Sequence, residues 1–142
     1  MKQALIVMTS GIMLFSCKKD KNDTPQCEIS MAGLSGSYKL TALQYKPDPA
    51  AQAQDFLAMM DDCEKDDILV LKSDGTYDYN DLGTVCDPTT EEHGTWLVNG
   101  KTLISDGRLN GTVASYDCKT LVYYIPNALK PGDKLTFTLV KQ

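Results

Sequence analysis

Short apolar segments separated by tight-turn residues recur from Gly36 to the end of the chain, a pattern that leaves room for little but antiparallel strands. The clearest unit runs from Cys63 to Trp96. Ile68–Leu71 is a continuous apolar run, Ser73-Asp74-Gly75 is a turn, and Thr76–Asn80 returns with Tyr77 and Tyr79 on one face and Asp78 and Asn80 on the other. A period of two is that of a half-buried strand. Asn99-Gly100 stands between Thr95–Val98 and Thr102–Ile104, and Asn-Gly between apolar runs is the strongest short-range hairpin signal. In the first strand Tyr38, Leu40 and Ala42 alternate with Lys39 and Thr41. Arg108–Tyr116 carries Leu109, Gly111, Val113 and Ser115 on one face, and Thr120–Ile125 is apolar and aromatic throughout. Pro131-Gly132-Asp133 turns into a last strand in which Leu135, Phe137 and Leu139 share a face. Asp48-Pro49 has the form of a helix start, and Ala53, Phe56, Leu57 and Met60 follow at helical spacing. That predicts a short amphipathic helix to about Met60, acting as a plug or a lid at one end of the sheet. About eight strands in consecutive hairpins, with one short helix after the first, predict an all-β fold: an up-and-down, eight-stranded antiparallel barrel, whose closure removes the sheet edges.

At 142 residues the chain is one domain's worth, and 14 basic against 19 acidic residues give a net charge of −5. That balance argues against nucleic acid, whose phosphates require a clustered Lys/Arg face. The start reads as an address. Lys2 is followed by an apolar run, Ala4–Phe15, too short for the roughly twenty residues of a spanning helix but suited to a secretory signal. The run ends in Leu14-Phe15-Ser16-Cys17, which resembles a bacterial lipobox. The resemblance implies that Cys17 receives lipid and becomes the mature N-terminus. Residues 1–16 are then the signal peptide, 17–33 the lipidated N-terminus and tether, and 34–142 the barrel domain. Each acyl methylene buried in a bilayer contributes roughly 0.8 kcal/mol, and several chains together anchor firmly. Lys18–Thr24, KKDKNDT, has no apolar residue and reads as a solvated tether. A Lys/Asp run behind such a cysteine resembles the surface-export tethers of Bacteroidetes lipoproteins. The expected location is the bacterial outer membrane, lipid-anchored, on its periplasmic or cell-surface side, with the protein a monomer.

With Cys17 lipidated, Cys27, Cys63, Cys86 and Cys118 remain. An even number in an exported chain suggests two bridges, for which three connectivities exist. Cys63 and Cys86 sit just outside the two ends of one hairpin, whose far ends come together within bridging reach. Cys63–Cys86 is therefore the favoured pair, leaving Cys27 with Cys118. A zinc site is disfavoured, because there is no Cys-x-x-Cys and His93 is the single histidine. The acids around Cys63, namely Asp61, Asp62, Glu64, Asp66 and Asp67, lack the fixed spacing of a calcium loop. No metal and no cofactor is expected.

Taken together, Gly36-Ser37-Tyr38-Lys39-Leu40, Cys63 with Asp66-Asp67 and the strand behind it, Asp74-Gly75-Thr76, Cys86, and Gly94-Thr95-Trp96-Leu97 resemble, in order and spacing, the lipocalin-like lipoproteins of Bacteroidetes. The resemblance spans residues 34 to 142 and implies a small barrel. A barrel of this size either fills itself with side chains or holds one small ligand. Tyr38, Tyr77, Tyr79, Trp96, Tyr123 and Phe137 are the residues that could line it. No nucleophile motif, phosphate cradle or catalytic triad is present, and His93 falls in a polar loop spanning Gly83–Gly94, so no enzyme is expected. Two readings follow. One is a carrier of a small hydrophobic ligand, which an apolar cavity of about 300 Å3 or more lined by those aromatics would favour. The other is a protein-binding module, such as an inhibitor or envelope assembly partner working through the segments 49–60 and 83–94, which a filled barrel with an exposed apolar patch at one end would favour.

Overall fold

The computed structural model describes residues 27–142. The segments expected to be the signal peptide and the KKDKNDT tether, and Cys17 between them, lie outside the described residues. The chain begins with a one-turn helix, α1 (Met31–Leu34), and then gives β1 (Gly36–Lys46), a two-residue strand β2 (Gln54–Asp55), a 3-10 turn (Leu57–Met59) and a one-turn helix α2 (Asp62–Lys65). Seven strands follow: β3 (Ile68–Leu71), β4 (Thr76–Asn80), β5 (Glu92–Asn99), β6 (Thr102–Ser105), β7 (Gly111–Tyr116), β8 (Thr120–Pro126) and β9 (Lys134–Lys141). Every neighbour pair is antiparallel, and β1 also pairs with β9, so eight strands close into the expected barrel. β1 achieves this by its length. Its first residues, Gly36 to Lys39, ladder onto β3, and Tyr38 to Lys46 ladder onto β9. β2 pairs with Gln44 and Tyr45 on the same edge, where β3 has ended.

Bulges set the phase of the inner face. The β1–β9 register shifts between Leu40 and Ala42, and one extra residue reverses which parity points inward. Tyr38 faces the core before the bulge; Leu43 and Tyr45 are the buried positions after it, in place of the expected Ala42 series. β7 has the same device between Val113 and Ser115. Val113 is buried, Ser115 turns out to solvent, and Tyr116 packs on the core instead. The turn of the β5–β6 hairpin is likewise one residue on from Asn99-Gly100, because Asn99 pairs with Thr102 and leaves Gly100-Lys101 as the loop.

Both ends of the barrel differ in construction from the sequence expectation. The segment 49–60 forms no amphipathic helix; it yields β2 and the single 3-10 turn. Asp48 does cap locally, accepting from the N–H groups of Ala50 and Ala51, but from Gln54 the chain is drawn into an edge pairing with β1. The plug comes instead from residues 27–35, of which 27–33 were expected to belong to the tether. Ser30 caps α1 through the Gly33 N–H, and Leu34 is fully buried in the core cluster. The Tyr38 hydroxyl donates to the Leu34 carbonyl at 2.7 Å, and the Tyr116 hydroxyl donates to the Gly33 carbonyl at 2.6 Å. Lys141 Nζ donates to both the Gly33 carbonyl and the Tyr116 hydroxyl, above the rings of Tyr38 and Tyr116. A disulfide from Cys27 to Cys118, in the β7–β8 turn, ties the segment down. The second disulfide joins Cys63 to Cys86. It links the β1–β3 connection to the β4–β5 loop at the opposite end of the barrel. That loop is further ordered by Asp81, which accepts from the Cys86 and Thr90 N–H groups and the Thr89 hydroxyl, and by buried Asp67, which accepts from the Leu82 N–H and the Thr90 hydroxyl. Burial raises the Asp67 carboxyl above its ordinary range, against the lowering pull of those donors.

Candidate functional site

With α1 filling one end, the space left inside lies toward the other, beneath the long loops that follow β1, β4, β6 and β8. It is a cavity of about 210 Å3. Its walls are Leu40 and Leu43 of β1, Leu69 of β3, Tyr77 and Tyr79 of β4, Tyr123 of β8 and Phe137 and Leu139 of β9, with Met60 and Leu109 at the open end. These are the inward positions of successive strands: Leu69 stands opposite Tyr79, and Tyr123 opposite Phe137. The Tyr123 and Phe137 rings stack with centroids 4.7 Å apart and nearly parallel. The volume falls below the ~300–1,000 Å3 of sites for drug-sized ligands, yet exceeds the ~150 Å3 apolar cavity known to hold benzene. It is room for one ring with a short tail.

The polar part of the lining is Glu92 and Arg108. Glu92 opens β5 directly opposite Tyr79. One of its oxygens accepts from the Tyr77 hydroxyl and from the Arg108 backbone N–H, the latter at 3.1 Å; the other pairs with Arg108 Nε at 2.8 Å. The Arg108 guanidinium in turn lies over the Tyr79 ring, 5.6 Å from its centroid. The group is self-consistent. Burial, then the negative Glu92 beside it, pushes the Tyr77 phenol up to about 12, so it stays a neutral donor. Tyr79 is pushed up to about 12 as well, by burial and then by the negative charge of Asp67. Burial also raises Tyr123. Backbone approach makes the arrangement possible. A Cβ at Gly107 would run into the Glu92 carboxylate and the Tyr77 hydroxyl, and a Cβ at Gly94 would meet the Tyr77 ring.

Of the six aromatics singled out from sequence, Tyr77, Tyr79, Tyr123 and Phe137 come together around the cavity. Tyr38 and Trp96 do not line it. Tyr38 sits under α1, and Trp96 is buried with its Nε1–H donating to the Lys72 carbonyl at 3.0 Å. Glu92 and Arg108 were missed, because Glu92 was placed in a polar loop. β5 in fact begins at Glu92, and its parity with Gly94 and Trp96, read as a period of two, would have put a carboxylate on the inner face. His93, with the opposite parity, is exposed on the outer face between Asp78 and Glu91. Among the described residues no group of three or more His, Cys, Asp or Glu side chains is arranged to hold a metal ion.

A family model described as a lipocalin-like domain matches residues 34–128. This chain belongs to the lipocalin-like domain family. The lipocalin-like match starts at Leu34, the residue α1 drives into the core, and stops in the β8–β9 loop, short of the strand that closes the barrel. Proteins of the family are typically non-enzymatic binding proteins. No curated protein matches the sequence.

Proposed function

We propose that this chain is an envelope lipoprotein of the Bacteroidetes type, anchored at the outer membrane through lipid on Cys17, whose lipocalin-like barrel binds one small apolar ligand without catalysing a reaction. The observation that carries the binding role is the cavity of about 210 Å3, walled by aliphatic side chains and four aromatic rings with the Glu92–Arg108 pair as its polar part. Concave, mostly apolar sites with a few placed polar groups are the general form of small-molecule sites. The anchoring rests on Leu14-Phe15-Ser16-Cys17. Native mass spectrometry of protein purified from its own envelope should show an added small mass; a clean apo mass would count against the carrier. Cys17→Ala should release the protein from membranes, and unchanged partitioning would rule out lipid there.

A second reading has its own support. Met59, Leu82, Val85 and Leu129 are all exposed, and all lie on the loops around the open end. Exposed apolar groups gathered at one end suit a partner protein. If the barrel works as a binding module, photo-crosslinkers at Met59 and Val85 should give one defined adduct in the native envelope, with no dependence on cavity substitutions.

A further inference from the structure

The cavity's polar end carries an inference about what the ligand is, and it rests on the carrier reading above. Three observations converge. First, the carboxylate of Glu92 faces an otherwise apolar lining and is held in place by groups that would remain if the Arg108 side chain left: the Tyr77 hydroxyl and the Arg108 backbone N–H. A half-buried charge of that kind requires a cation. Second, the present cation is a side chain from a loop, 60% exposed, resting on the Tyr79 ring. A guanidinium or ammonium above a tyrosine face is held by the ring quadrupole, more strongly once water is excluded. Third, the surroundings are acidic. Glu64, Asp67 and Asp81 impose negative potential at Tyr79, opposed by Arg108. Lys65, on the same connection as Glu64, is already paired with Asp62. A mouth of that sign draws in cations and repels anions.

We propose that the cavity takes a small protonated amine, an ammonium carried on one ring or a short alkyl body, with Glu92 as its counter-ion and Tyr79 as its aromatic partner, and that Arg108 stands in the ammonium's place when no ligand is bound. The apolar body lies between the Tyr123–Phe137 stack and the leucines. The ammonium takes the Glu92 oxygen now paired with Nε, and the Arg108 side chain moves out into water, where most of it already is. A carboxylate ligand has no such place, since it would sit against Glu92.

The test is titration calorimetry of the full chain in non-ionic detergent, with protein-free blanks, using three probes of one shape: phenethylamine, 2-phenylethanol and phenylacetate. Phenethylamine should bind roughly tenfold or more tighter than the neutral alcohol, and phenylacetate weakest. Glu92→Gln should erase the amine's advantage over the alcohol. Arg108→Gln should tighten the amine by removing its internal competitor. The proposal is overturned if phenylacetate binds best, if Arg108→Gln weakens the amine, or if amine and alcohol bind alike to the unaltered chain. Should none of the three bind, the carrier reading itself fails, which separates the two outcomes. If Glu92→Gln does not fold, the Arg108→Gln titration decides alone.

Discussion

Leu34→Ala tests whether α1 belongs to the fold or merely precedes it. Leu34 is 0% exposed and sits in the same cluster as Tyr38, Leu71 and Leu121. The substitution removes three carbon groups, worth about 0.8 kcal/mol each on transfer. The cavity left behind adds to this, because the Cys27–Cys118 bridge and the Tyr38 hydrogen bond to the Leu34 carbonyl hold the backbone in place and limit collapse. The expected loss is about 3 kcal/mol. For a domain of about 110–120 residues, with an unfolding entropy of about 2.1 cal/mol/K per residue, that lowers Tm by roughly 12 °C. Thermal unfolding followed by far-ultraviolet circular dichroism, with disulfides oxidised, reads it directly. Leu82→Ala, on an exposed loop, is the control and should stay within about 0.5 kcal/mol. A Leu34→Ala loss no larger than the control's would mean that α1 contributes nothing to the core and that the barrel end is closed by something else.

Three further outcomes follow from the same structure. The Cys27–Cys118 bridge spans 91 residues and Cys63–Cys86 spans 23, so the chain-entropy relation assigns them about 4.6 and 3.4 kcal/mol; replacing each pair by alanine should lower the denaturant midpoint more for the long loop, and the reverse order would refute the entropic account. Gly107→Ala should force Glu92 and Tyr77 apart at a cost of about 1–3 kcal/mol; spectrophotometric alkaline titration should then show the Tyr77 phenol falling from about 12 toward its ordinary value, as burial and the Glu92 contact are lost. Backbone and hydroxyl donors hold the Asp81 carboxyl below its ordinary value of 3.8. Its contribution is therefore fully present above about pH 4 and is lost as pH falls through the lowered value; amide exchange in 81–91 should rise on acidification below that point, earlier than in β8, and an unchanged pattern would remove Asp81 as the loop's organiser.

The barrel was legible because strand parity and turn chemistry are local. Tyr77/Tyr79 against Asp78/Asn80, Gly75 in its turn and Leu135/Phe137/Leu139 all carry their own face and their own ends. The cavity was half legible for the same reason, as Tyr77, Tyr79, Tyr123 and Phe137 fall on the inner parity of their strands. The errors have one origin. A bulge is a choice made between two strands, so the phase reversal after Leu40 cannot be read from β1 by itself. The helical spacing of Ala53, Phe56, Leu57 and Met60 was outweighed by β2 pairing with β1 and by Met60 turning to the cavity.

By itself the sequence determined a closed antiparallel barrel, two bridges and an interior rich in tyrosine, since each of these follows from neighbours within a few residues or from a count. Only the tertiary structure decided that residues 27–35 stopper one end, and that Glu92 and Arg108 meet over Tyr77 and Tyr79 at the other. Those groups lie from about fifteen to more than a hundred positions apart along the chain. Side chains that distant have no shared periodicity to betray them; closure of the sheet brings them together.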